Sequence, residues 1–252
     1  MQKMHTSSIR VGDSRAHNNI LIIHGYTGSP DEFQDLAHEL ARRLDAHVHV
    51  PLLPGHGTSE EDLCTYTFDD LLKAVREHVR EMAATGKPFA LVGHSLGAHL
   101  ALLVADAFPP VAAVLTVMPY RLRPPFSLPG MEFYARIQKF WDKQLTKKEI
   151  RDRENLFYYH RMPGTTLGML KNANRRVESI LSNLTFPICT IHNHEDPTSY
   201  AEGGEEIIRK SGGNTKSSVI TLDRKEHGLF YGEGKEVAVE KIAAFLENVM
   251  GK

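Results

Sequence analysis

The pentapeptide Gly93-His94-Ser95-Leu96-Gly97 constrains this chain more than any other stretch. Ahead of it, Pro88-Phe89-Ala90-Leu91-Val92 is short, apolar and bounded by a proline, the pattern of a buried strand. Behind it, Leu96, Leu100, Leu103, Val104 and Ala107 recur at helical spacing. Strand, sharp turn and helix is the context a G-x-S-x-G serine needs. The turn is so tight that a side chain at 93 or 97 would collide with the neighbouring strand or helix, and the serine then stands exposed at the helix N-terminus, where its hydroxyl can act as a nucleophile.

The same alternation repeats along the chain. Asn19–Ile23 is an apolar run of strand length that leads into the loop His24-Gly25-Tyr26-Thr27-Gly28. Ser29 then reads as an N-cap, Pro30 as the first helical residue and Glu32 as the partner in a capping box, with Phe33, Leu36, Leu40 and Leu44 forming a buried stripe. Ala46–Val50 is the next strand and ends in a second glycine-rich loop, residues 51–57. Phe68, Leu71, Leu72, Val75, Val79 and Met82 mark a helix that Gly86 stops. Further strands are expected at Val111–Val117, Pro187–Ile191 and Ser218–Leu222, with helices near 200–210 and 237–249. Near-continuous apolar strands alternating with helices imply an α/β fold with a mostly parallel central sheet flanked by helices on both faces. With 41% hydrophobic residues, 252 residues can fill one such core.

Between Met118 and Asn183 the pattern changes. Prolines cluster at 119, 124, 125 and 129, and helices are expected at 130–144, 147–160 and 166–182 with no strand between them. We therefore expect a helical cap over 119–183, inserted into a core made of 1–118 and 184–252. Nine of the 20 aromatic residues fall between Tyr120 and Tyr159, where even spreading would give about three. Such a surface needs an apolar partner, either the core or a substrate.

Thirty basic against 31 acidic residues, a net charge of −1, offer no field for nucleic acid or an anionic surface. No apolar run reaches the length of a membrane span, and the first residues lack the apolar stretch of a signal peptide. With two cysteines, Cys64 and Cys189, the expectation is a cytoplasmic protein with no disulfide framework. His47 and His49 share one face of a strand, but no third ligand stands near them in sequence, so no metal site is expected. An acidic loop, His192–Thr198, follows one late strand, and His227 follows the next.

Taken together, Gly-His-Ser-Leu-Gly, an acid about 100 residues on, a histidine about 30 further and the early His-Gly-Tyr-Thr-Gly loop resemble the α/β-hydrolase fold. The likeness is greatest to its carboxylesterase and monoacylglycerol lipase group, and it spans about residues 19–249. The resemblance implies a catalytic triad of Ser95, Asp196 and His227, with an oxyanion hole formed by the backbone N–H groups of Tyr26 and Leu96. Glu195 and Asp223 compete for the acid's role, although the family draws its acid from the end of the preceding strand. Asn193 stands where the family often has glycine. The implied activity is hydrolysis of a small apolar carboxylic ester, of short or medium acyl chain or a monoacylglycerol, through an acyl-enzyme and without cofactor or metal. A thioesterase, a carbon–carbon bond hydrolase or a peptidase would use the same triad. Dehalogenases and epoxide hydrolases of this fold carry aspartate where this chain has Ser95. A non-catalytic binding protein of the fold would often show a damaged triad, and here all three positions are intact.

Overall fold

A computed structural model of the protein describes residues 5–131, 133 and 137–251. Seven strands form the central sheet: β1 (Ile9–Val11), β2 (Asn18–Ile23), β3 (Ala46–Val50), β4 (Phe89–His94), β5 (Ala112–Thr116), β8 (Ile188–Asn193) and β9 (Ser218–Leu222). Their order is β1-β3-β2-β4-β5-β8-β9, with every pairing parallel except β1 against β3. From β2 the chain steps outward to β3 on one side, and from β4 it proceeds to β5 on the other. The loops that leave these two adjacent strands therefore diverge, which opens a crevice at their carboxyl ends.

The strand alternation sorts side chains onto two cores. Leu21, Ile23, Leu91 and Leu115 pack with α3 (Phe68–Ala83), α4 (Leu96–Ala105) and α6 (Thr166–Glu178) on one face. Ile20, Ile22, Val92 and Val114 pack with α1 (Gln34–Arg43) and α8 (Lys235–Met250) on the other. Both faces are covered, as the continuous apolar strands require. Nine of the ten residues of α4 are buried, so this helix is apolar all round rather than amphipathic.

The fold departs from expectation mainly in the region after Met118. Within the helix expected at 130–144, Phe140–Asp142 is a strand, β6, paired antiparallel with β7 (Arg161–Pro163); residues 132 and 134–136 lie outside the described residues. The helix expected at 147–160 is α5, Lys147–Asp152, and stops there. Beyond it the chain finds better partners on the core than a helix would supply. Phe157 N–H donates to Asp31 Oδ2 at 3.1 Å and its carbonyl accepts from the Ser29 hydroxyl at 2.8 Å; Tyr159 N–H donates to the Thr27 carbonyl at 3.0 Å. Ser29 is thus an N-cap whose Oγ accepts from Asp31 N, and a single 3-10 turn, Pro30–Phe33, precedes α1. Phe133, one of the nine aromatic residues between Tyr120 and Tyr159, is 71% exposed and has not been covered by the core. No described helix is long and apolar enough to cross a membrane.

Candidate active site

Ser95 sits between β4 and α4 at φ +53°, ψ −119°, a conformation that is costly for a residue with a Cβ. Two constraints hold it there. Its N–H donates to the Thr116 carbonyl at 2.8 Å, and the flanking glycines let strand and helix close around it. A Cβ at Gly93 would lie 2.5 Å from Ala98 Cα, and one at Gly97 would press into the carbonyls of Ile23 and His24. Backbone atoms cannot swing aside, so only glycine fits either position.

The serine hydroxyl lies 2.9 Å from His227 Nε2. On the far side of the ring, His227 Nδ1 lies 2.8 Å from Asp196 Oδ2 and 3.0 Å from Oδ1. Asp196 is fully buried in the loop after β8 and accepts from Thr198 N–H at 2.7 Å, from Ser199 N–H at 3.4 Å and from the Ser199 hydroxyl at 3.0 Å. Burial alone would raise its pKa, but the His227 imidazole and these donors outweigh burial and hold the carboxyl below its usual value. Glu195, the rival acid, instead faces Lys225 at 3.2 Å.

The loop after β2 reaches the same point. Gly25 packs so closely that a Cβ there would stand 3.3 Å from Ser95 Cβ. Among the described residues, the N–H groups of Tyr26 and Leu96 have no backbone acceptor. Leu96 N–H opens α4, where unpaired N–H groups and the helix dipole favour negative charge. His56 braces the loop, its Nε2 lying 2.6 Å from the Tyr26 carbonyl, and His24 Nε2 accepts from Leu53 N–H at 3.1 Å. His94 packs edge-on against Phe33 and Phe230, and burial pushes its pKa down to about 3, so it stays neutral and does not compete as a base.

Ser95, Asp196 and His227, with Tyr26 and Leu96, thus come together at the carboxyl ends of the strands, whereas Glu195 is turned away to Lys225 and His47 and His49 lie within β3. The supporting residues were not legible in the sequence. His56 reaches the Tyr26 carbonyl from 30 residues away, while Ser199 on the acid and Arg224, whose guanidinium holds the carbonyls of Leu229 and Tyr231 at 3.0 Å each, act within irregular loops whose turns carry no periodic pattern.

Residues 20–205 match the model of a protein family described as the alpha/beta hydrolase family. The chain belongs to that family. Among curated relatives, the thermostable monoacylglycerol lipase of Bacillus sp. (strain H-257) is 23% identical over 232 residues, which are 92% of this chain and 91% of that protein. The monoglyceride lipase of Mus musculus is 26% identical over 221 residues, 79% of this chain and 71% of the mouse protein. Among solved structures, one from a study of two metagenome-derived lipolytic enzymes, LipS and LipT, superposes with a TM-score of 0.83 at 21% identity, covering 96% of this chain and 97% of that one. The monoacylglycerol lipase of Paleococcus ferrophilus gives 0.75 at 16% identity, covering 94% and 98%. At these identities the structural matches establish the fold, and the family's mostly parallel sheet with flanking helices is the architecture described above.

Proposed function

We propose that this alpha/beta hydrolase cleaves carboxylic esters through an acyl-enzyme on Ser95, and that monoacylglycerols or other esters of short and medium acyl chains are its substrates. Ester hydrolysis as such is the activity its relatives, named as monoacylglycerol lipases, share. The observation that carries the finer reading is the unbroken line from a strained, partly buried serine through His227 to a buried carboxylate, 2.9 Å and 2.8 Å per step.

In this mechanism neutral His227 accepts the Ser95 proton at Nε2 as Oγ attacks the ester carbonyl. Asp196 accepts the Nδ1 proton, which fixes the tautomer and stabilises the imidazolium that forms. The oxyanion of the tetrahedral intermediate takes hydrogen bonds from the N–H groups of Leu96 and Tyr26. Collapse transfers the imidazolium proton to the departing alcohol and leaves the acyl group on Ser95. Water, activated by the same imidazole, then releases the acid and restores the serine. In this reading residues 119–183 are the cap over the site. The segment is anchored to the core at Tyr159, whose hydroxyl donates to the Gly55 carbonyl at 2.8 Å, and along α6.

A fluorophosphonate probe tests the nucleophile, with modification expected at Ser95 and abolished in Ser95→Ala. A panel of p-nitrophenyl esters from acetate to palmitate, alongside monoacylglycerols, thioesters and aryl amides, tests the substrate class. Labelling at another residue, or turnover of thioesters far above esters, would overturn the corresponding half of the proposal.

A further inference from the structure

His227 lies in a loop without regular secondary structure, so something other than a helix or sheet must satisfy that loop's backbone and aim the imidazole. Arg224 takes the carbonyls of residues 229 and 231. The carbonyls that immediately bracket the histidine are taken by one side chain. Asn193, the last residue of β8, sends its Nδ2 amide to the Glu226 carbonyl at 2.6 Å and to the Gly228 carbonyl at 3.2 Å. A primary amide has two N–H donors, and here one goes to each side of position 227. The reverse orientation would set Oδ1 against two carbonyl oxygens, so the network itself fixes which way the amide points.

Two further features separate this contact from ordinary loop packing. Asn193 is fully buried, and its Oδ1 has no hydrogen-bond partner among the described residues. Burying an amide with an unsatisfied oxygen is unfavourable, so the residue's value must lie in its donors. Asn193 also stands in the same strand end that delivers Asp196, whose N–H donates to the Asn193 carbonyl at 3.4 Å. One residue therefore ties the loop of the base to the loop of the acid.

We propose that Asn193 is a positioning residue for catalysis: by clamping the carbonyls of Glu226 and Gly228 it holds His227 at hydrogen-bonding distance from both Ser95 and Asp196. The inference rests on the triad reading above, since it concerns how the base is aimed. It does not involve substrate contact, so its signature is a loss in kcat with little change in KM.

The test uses two variants of the full chain, assayed at about pH 8. Asn193→Asp keeps the shape but replaces the donors with a carboxylate that faces two carbonyl oxygens; Asn193→Ser keeps a small polar group but loses the reach. With kcat scaled to the folded fraction from near-ultraviolet circular dichroism, both should lose about 10- to 100-fold, with KM within about threefold of wild type. The rate of fluorophosphonate labelling at Ser95 should fall in parallel. The downfield proton resonance of His227 Nδ1–H on Asp196 should broaden or vanish in both variants, which a role limited to global stability would not produce. Values of kcat within about twofold of wild type, or a loss carried by KM alone, would overturn the proposal. So would failure of both variants to fold, because Asn193 would then belong to the folding core and not to the catalyst. His227→Ala separates this failure from that of the parent reading: if it stays active the triad itself is wrong, whereas an inactive His227→Ala beside an active Asn193→Asp sinks only the clamp.

Discussion

At the scale of single residues, the proposed mechanism depends on placing a poor nucleophile where it must be a good one. A serine hydroxyl gains its reactivity from a base that is neutral and correctly turned, and His227 is turned by a carboxylate that burial alone would protonate. His227 and, after it, the donors from Thr198 and Ser199 offset burial and hold the Asp196 carboxyl below its usual value, and so the orienting charge survives in a fully buried position. Ser95→Ala and His227→Ala should each lower ester turnover by on the order of 10³-fold or more, and the double variant should be scarcely worse than either, because the two act as a unit. Additive losses in steady-state kinetics would contradict this. Asp196→Asn should cost on the order of 10²-fold or more, while Glu195→Gln, on a residue paired with Lys225, should leave kcat within about twofold. Activity should also survive a chelator; loss in EDTA with recovery on added zinc would point to metal chemistry and away from the triad.

At the scale of elements, the site is the meeting of β2, β4, β8 and β9 at one edge, and each delivers its residue through a loop at its carboxyl end. The closest approach is between α4 and β2, where Gly97 faces the Ile23 and His24 carbonyls. Gly97→Ala should force the helix outward and misplace both Ser95 and the Leu96 N–H. A cost of about 1–3 kcal/mol would lower Tm by about 2–12 °C, with kcat falling further than stability alone explains; an unchanged Tm and kcat would show that this packing is slack. Much of this layer was readable from the sequence, from the apolar runs of the buried strands β2, β4, β5 and β8 and from the alternation along β3 and the edge strand β9: Ala46–Val50 and Ser218–Leu222 coincide with the expected spans, and Phe89–His94 begins within one residue of its own. The short edge strand Ile9–Val11 left no comparable run. The helix expected at 147–160 forms over Lys147–Asp152 and ends early because the backbone beyond it is claimed elsewhere: Asp31, Ser29 and Thr27 make hydrogen bonds to residues 157 and 159 that no local pattern announces. Asn193 was visible only as an odd residue at a strand end. The carbonyls it holds are more than 30 positions away, and hydrogen bonds to backbone carry no sequence signature at the acceptor.

At the scale of the whole molecule, the unusual feature is how many histidines the fold buries in neutral form. Burial lowers the pKa of His94 to about 3, of His99 to about 4 and of His192 to about 4, and holds His24 well below its ordinary value. All four are at most 5% exposed. In the unfolded chain each returns to about 6.5. Because the folded values lie below the unfolded one, the unfolded state binds more protons in the interval between them. Stability is therefore fully present above about pH 6.5 and is lost progressively as pH falls toward the folded values. His94, His99 and His192 each remove about 1.4 kcal/mol by pH 5.5, so the three together remove about 4 kcal/mol, and His24 acts in the same direction; that loss approaches the whole stability of a marginal domain. Asp196, with its own lowered pKa, adds a loss of the same sign only below about pH 4, after the histidines have acted. Urea unfolding at a series of pH values should give a stability nearly flat between about pH 7 and 8 and falling steeply below 6.5, with acid unfolding near pH 5. His99→Gln should flatten this dependence by about one proton, provided the amide takes over the imidazole's contact with Asn174 Oδ1, which His99 Nε2 meets at 2.7 Å. A stability that stayed constant down to pH 5 would mean that these imidazoles find partners on protonation that the fold does not display.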